Sequence, residues 1–332
     1  MKSLIYRFYL IEIKFLSFFW ALIHIIKARC EPLFICLTID CESRFENKIE
    51  IEKTSYYHCF FQGSLKMNEL LKHYSWHATF FIDYPEIKIF QNEENSPSQL
   101  IKILISDGQD IQLHLHPSLI NSEKISDFSY YSRQRIREMI SEGKKILASL
   151  SGKKITSFRA GGYSVGKAER IISALEDEGF VVDSSVMPGA SNLHQAKFNF
   201  EKAPHFNWYH PDYRDFSKRG KAKIVELPIT TIIKTNNNFA SDFFRLDAKG
   251  IKIIKNFINY AYFKNRFKVI TFIWHSKEIF DENGRLTENY ENIKKTLLLL
   301  KKLIDSGKQI KVGSVEDFIN QHLLMTERGR TI

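Results

Sequence analysis

The run LFICLTIDCE at residues 33–42 constrains the chain more than any other stretch. It is apolar and rich in β-branched residues until it ends in Thr38, Asp40 and Glu42. A buried strand that ends in acids is typical of a parallel sheet whose active site lies at the carboxyl ends of its strands. Asp40 and Glu42 share a face of such a strand, with Cys41 turned the other way. One acid can then ligate a cation while the other stays free as a base. Taken singly, either acid also reads as a solvated loop residue or a helix cap.

The rest of the chain repeats the alternation. Strand candidates are 33–39, 77–82, 110–116, 155–159, 180–183, 223–227 and 268–274, with helical stretches at 64–74, 97–106, 131–151, 165–178, 248–264, 288–306 and 315–323. Strand and helix in turn predict a parallel sheet with helices outside. Seven strands fit a deformed β/α barrel better than a full eight. Residues 184–222 interrupt the pattern with HFNWYHPDYRDF and its neighbours, and read as a surface insertion suited to a substrate wall.

Composition narrows the partners. The 332 residues are 44% hydrophobic, enough for a sizeable core in one α/β barrel. The net charge is +10, and the lysines are spread along helical stretches, many of them in 141–155 and 293–311, as on solvated helix faces. No Arg-rich arm or zinc-finger spacing points to nucleic acid. An anionic glycan, nucleotide-sugar or lipid headgroup is compatible with the charge. Cys30, Cys36, Cys41 and Cys59 show no CxxC pairing, which fits a reducing compartment.

Residues 4–27 are apolar but interrupted by Arg7, Glu12 and Lys14. The cleanest run, Phe15 to Ile26, is about 12 residues, too short to span a bilayer of roughly 30 Å. No small-x-small cleavage site follows. Residues 1–30 are therefore expected to form a helix at a membrane surface, or one packed on the domain or a partner. A catalytic domain is expected over 31–325, in the cytoplasm and in contact with the inner membrane.

Four further motifs carry chemistry. In QLHLHP, His114 and His116 face the same side of a strand and form a compact pair of metal ligands, and Pro117 stops the strand. In SFRAGGYS, Arg159 can hold a carboxylate ionised, Gly161 and Gly162 permit unusual backbone, and the Tyr163 N–H can face an oxyanion. In TFIWHSKE, His275 is placed as a general acid or a core histidine, and Trp274 as core or as a sugar-stacking face. Asp183 in VVDSSV supports a catalytic neighbour or caps a turn.

In this order the five motifs resemble the polysaccharide deacetylase family, the NodB-homology group of carbohydrate esterase family 4, over residues 33–280. The first motif resembles the family's Asp-x-Glu variant. The resemblance implies a deformed (β/α)7-type barrel and a divalent cation, zinc foremost, held by Glu42, His114 and His116. It further implies Asp40 as base, His275 as acid, Arg159 and Asp183 as their supports, and the Tyr163 N–H on the oxyanion. The reaction would remove an N-acetyl group from a sugar in a polysaccharide or its lipid- or nucleotide-linked precursor. The chain departs from the commoner pattern at Asp40-Cys41-Glu42, where the acids are not adjacent. This leaves open a swap of their roles and a Cys41 thiolate ligand. It departs again at His114-Leu115-His116, where one residue replaces three, and at FRAGGY, which lacks a proline. Two alternatives stand beside it: a carbohydrate-binding barrel without turnover, and an amidase acting on a non-sugar C–N bond.

Overall fold

The computed structural model describes residues 31–44, 51–120, 127–192, 198–205, 207–235, 241–246, 250–264 and 267–323. The expected N-terminal segment, residues 1–30, lies outside the described residues. The apolar run that ends in Asp40 and Glu42 forms β1, Leu33–Cys41, and every residue of that strand is buried. That burial on both faces is what a central parallel strand requires. The neighbouring strands are β2 (Thr79–Asp83), β3 (Asp110–Leu115), β4 (Ser157–Ala160) and β5 (Val182–Asp183). Two small antiparallel hairpins follow, β6 (Ser191–Asn192) with β7 (Phe198–Asn199) and β8 (Pro211–Asp212) with β9 (Asp215–Arg219). The sheet resumes with β10 (Val225–Glu226), and a third hairpin joins β11 (Thr231–Thr235) to β12 (Ser241–Arg245). β13 (Val269–His275) and β14 (Ile310–Gly313) complete the set.

The sheet runs β10-β5-β4-β3-β2-β1-β13, with β14 paired to β1, and all of these pairings are parallel. It curls as a half-barrel. Just past β10, Thr230 bridges to the far edge: its N–H donates to the Thr271 carbonyl at 3.0 Å, and its hydroxyl accepts the Thr271 N–H at 2.9 Å. This is the deformed seven-stranded barrel expected, with β14 as an eighth strand that the sequence hid. Its residues, Ile-Lys-Val-Gly, carry little apolar signal, and it pairs only with Leu33–Cys36 at the start of β1. The expected helix at 315–323 divides into a short helix Val315–Phe318 and a π-helical turn Ile319–Leu323.

The longer helices are α1 (Gly63–His73), α2 (Pro97–Ser106), α3 (Arg133–Ser151), α4 (Ala168–Asp177), α5 (Ile251–Lys264) and α6 (Glu288–Asp305). α3 shows how the sequence sets them. Ser132 caps its start by accepting the Arg135 N–H at 3.2 Å, and Gly152 ends it at φ 65°. Ile136, Met139, Ile140, Gly143 and Leu147 line its buried stripe. Gly143 has no alternative, because a Cβ there would meet Leu113 Cδ1 at 2.8 Å. Each large apolar side chain so buried contributes roughly 1.5–3 kcal/mol. No helix among the described residues is long and apolar enough to cross a membrane.

Candidate active site

Parallel register carries the sequence pattern to one rim. Asp40 on β1 pairs with His275 on β13; Asp83 on β2 pairs with His114 on β3, which pairs with Arg159 on β4; Asp183 on β5 pairs with Glu226 on β10. Each strand of the seven-strand path thus delivers one ionisable side chain near its carboxyl end. All of them are buried.

Glu42, just past β1, is the point on which the histidines converge. Its Oε2 lies 3.1 Å from His116 Nε2 and 3.5 Å from His114 Nε2. The three ligand atoms lie within 4.8 Å of one another. The one-residue spacing of the histidines works because β3 ends at Leu115: His116 leaves the strand, and its ring turns edge-on to His114 at 88°. The other ring nitrogens are held from behind. His114 Nδ1 donates to the Arg159 carbonyl at 2.9 Å, and His116 Nδ1 lies 3.2 Å from Asp83 Oδ1. A neutral histidine so held turns a bare Nε2 forward, as metal ligands do. His114 Nε2 is buried and finds no hydrogen-bond partner among the described residues. A Cβ on residue 161 would lie 2.3 Å from His116 Cδ2, so Gly161 keeps the place of that ring. One carboxylate, two imidazoles and an orphaned nitrogen fit a divalent cation.

Asp40 is divided between two neighbours. Arg159 Nη1 donates to Oδ1 at 2.6 Å, while Oδ2 stands 3.7 Å from His275 Nε2 and 4.0 Å from His114 Nε2. Arg159 is itself fully buried. It also donates to the Thr38 hydroxyl and to the carbonyl and hydroxyl of Ser184, and lies 4.2 Å above the Phe81 ring. Burial pushes the Asp40 carboxyl up, but Arg159, His114 and His275 outweigh it and hold the group below its usual range. Burial likewise opposes charge on Glu42. Lys277, whose Nζ is 2.6 Å from Oε1, and the histidines nonetheless hold it well below its usual range. His114 feels the converse: burial lowers it, yet Asp40 and Glu42 raise it to about 9. The two carboxylates are thus held ionised at the rim, the form in which they can meet a cation.

The structure brings Asp40, Glu42, His114, His116, Arg159 and His275 together. Asp183 stands apart from His275, with its Oδ1 accepting from Ser185 and its other side on Glu226. Burial pushes both carboxyls up. Trp274 is 1% exposed and packed near Phe272, so of its two readings the core placement is the one observed, and no face is open to a sugar. Cys41 points away from the acids, and burial pushes its thiol well up, which argues against a thiolate ligand. Tyr163 follows Gly162 in a turn where both residues have positive φ, 59° and 58°. That conformation is costly for a tyrosine. Its half-buried ring meets Phe198 edge-on.

Four functional candidates escaped the sequence. Asp83 ends TFFID as Asp40 ends its own run, and that pattern was there to be read. Lys277 and Glu278 follow His275 in a short turn with no periodic signal. Arg245 reaches the site from β12, in a stretch where no strand was expected. Its Nη1 lies 2.6 Å from His275 Nδ1, and its Nη2 donates to Glu278 Oε1 at 2.9 Å.

Neither a protein-family profile nor a curated protein sequence matches the chain. Solved structures do. A protein of Mycobacterium smegmatis assigned to the polysaccharide deacetylases aligns over 91% of this chain and 93% of its own, at TM-score 0.58 and 13% identity. The fold is that of the polysaccharide deacetylases. A Parabacteroides distasonis protein assigned as a glycoside hydrolase or deacetylase aligns over 87% of this chain and 70% of its own, at TM-score 0.59 and 12% identity. The PuuE allantoinase aligns over 87% and 91%, at TM-score 0.54 and 15% identity. The deacetylase fold in this chain thus ends in a rim able to hold a metal ion.

Proposed function

We propose that the protein is a metal-dependent hydrolase that removes an N-acetyl group from a sugar, in a polysaccharide or its lipid- or nucleotide-linked precursor. One observation carries the reading: a Glu42–His114–His116 donor set stands beside a carboxylate, Asp40, whose one oxygen is clamped by Arg159 and whose other oxygen is turned to the same space. Glu42, His114 and His116 would hold the cation, and Zn²⁺ suits that donor set. Bound there, it would supply Lewis acidity toward a carbonyl and an acidified water.

The chain's own residues supply the rest. Asp40 stays ionised, and its free Oδ2 accepts the proton of the attacking water. Arg159 fixes that carboxylate and leaves it one working oxygen. His275 turns Nε2 to the same space, on the side from which an N–H donor can meet the departing nitrogen. The Tyr163 turn offers its backbone N–H to the oxyanion. Asp183 supports Arg159 indirectly, through Ser185 and the N–H of Ala160. A binding barrel without turnover would need no such combination of clamped base and donor.

Residues 31–325 form the catalytic domain in this reading. The apolar residues 4–27 and the free buried thiols of Cys36, Cys41 and Cys59 suit a cytoplasmic site at the inner membrane, where precursors of cell-surface polysaccharides would be met. The test is metal content together with acetate release from N-acetylated oligosaccharides, for the full chain and for a His114→Ala, His116→Ala double variant. About one equivalent of cation and acetate release, both lost in the variant, are expected. A parent chain that takes up no cation when zinc is supplied would overturn the reading. The likeness to an allantoinase fold favours a second reading, hydrolysis of a non-sugar C–N bond. A metal-loaded protein that leaves sugars intact but opens small amides would select it.

A further inference from the structure

His275 Nδ1 has two partners of opposite polarity. Arg245 Nη1 lies 2.6 Å from it, and Glu278 Oε1 lies 3.4 Å from it. The two partners also bind one another, Arg245 Nη2 donating to Glu278 Oε1 at 2.9 Å. An arginine can only donate. At 2.6 Å it denies Nδ1 a hydrogen, and a neutral imidazole must then carry its one hydrogen on Nε2. That nitrogen stands 3.7 Å from both Asp40 Oδ2 and Glu42 Oε1, facing the rim.

We propose that Arg245 and Glu278 are positioning residues: Arg245 keeps the hydrogen of the neutral, resting His275 ring on its rim-facing nitrogen, and Glu278 is the acceptor that holds Nδ1–H once the ring is charged and after Nε2 has given its hydrogen away. In the neutral ring Arg245 donates to Nδ1. In the charged ring Nδ1–H needs an acceptor, and Glu278 Oε1 is beside it while Arg245 keeps its bond to that same carboxylate. Glu278 remains an acceptor throughout the working range, since burial is outweighed by His275 and Arg245 and its carboxyl is held at about 2. Arg245 comes from the β11–β12 hairpin, whereas His275 and Glu278 belong to the end of β13 and the turn after it. Docking of the hairpin therefore sets which nitrogen of the ring meets the substrate.

The tautomer is read on the ring itself and does not rest on the hydrolase reading, so the two can fail separately. The full chain, labelled with ¹⁵N at histidine, is measured at one mildly alkaline pH by long-range ¹H–¹⁵N correlation, with the His275→Gln spectrum identifying the ring. The parent is expected to show Nε2–H with a bare Nδ1. In Arg245→Met, Nδ1 is freed to donate to Glu278, and the Nδ1–H form should appear. Arg245→Lys should restore the parent form in part, and Arg245→Met with Glu278→Gln should remove the bias to either form. A parent ring with its hydrogen on Nδ1, or a ring unchanged by Arg245→Met in a variant whose melting is normal, would overturn the proposal.

Discussion

The sheet buries a polar cluster at each end, and the two clusters are built on opposite principles. At the amino-terminal end, Thr79, Asp110 and Gln112 satisfy one another and the backbone. Asp110 accepts from the Thr79 hydroxyl at 2.6 Å and from Gln112 Nε2 at 2.7 Å. Gln112 Oε1 takes the N–H groups of Thr156 and Ser157, and Thr79 Oγ1 takes that of Val315. Each polar side-chain atom of these three residues has its partner inside the fold. At the carboxyl end, His114 Nε2 has none, and two carboxylates share a small space with three imidazoles. A buried polar group left unmatched costs about 1–3 kcal/mol, so a fold that keeps one does so where something else completes it. The Thr79–Asp110–Gln112 cluster is closed on itself, and the cluster at the candidate site is open.

The contrast can be broken most sharply at Asp40. Asp40→Asn keeps the shape and removes the proton acceptor. Hydrolysis should fall by about 10²- to 10⁴-fold while cation uptake persists, as read by steady-state rates beside metal analysis. If turnover survived intact, the open cluster would not be the reactive one. Gly161→Ala is a second attack on the same end. The added Cβ displaces the His116 ring, and cation affinity measured by calorimetric titration should drop on the order of 10- to 100-fold, with the melting temperature little changed.

The opposite end should respond in stability alone. Burial pushes the Asp110 carboxyl up to about 6, against hydrogen bonds from Thr79 and Gln112 that pull it down. Its folded value thus exceeds its unfolded one, so the stability it lends is fully present below about pH 4 and is lost as pH rises through about 6. The loss amounts to roughly 3 kcal/mol. Chemical denaturation from pH 4 to 7 should show that slope in the parent and not in Asp110→Asn; equal slopes would refute it. Thr79→Val should have the smallest effect, roughly 1–2 kcal/mol, by orphaning the Val315 N–H. Its cation binding should match the parent, and a variant that lost metal would show the two ends to be coupled.

Much of the open cluster was legible because strand ends announce it. An apolar run closed by an acid, a histidine or an arginine is visible in one dimension, and parallel register does the rest. Asp40, His114, Arg159 and His275 were found in this way. Asp83 obeys the same rule and was passed over. Arg245 obeys none, since its position depends on how a hairpin folds back over the rim. Asp183 was read as support for a catalytic group, yet its nearest charged partner, Glu226, is set by strand order rather than by any motif. β14 was hidden for a related reason: a four-residue strand at the margin of β1 needs little apolar signal to be held by its neighbour.

The ammonium of Lys277 on Glu42 has a bearing on coordination number. The two oxygens of that carboxylate have separate duties, Oε1 to the lysine and Oε2 to the histidines. With Oε1 engaged, Glu42 would offer a cation a single oxygen, and the Glu42–His114–His116 set three donor atoms among the described residues. A tetrahedral ion asks for four. A fourth position would then fall to solvent or to a substrate carbonyl, and a lysine that binds the carboxylate rather than the ion would be what leaves it open.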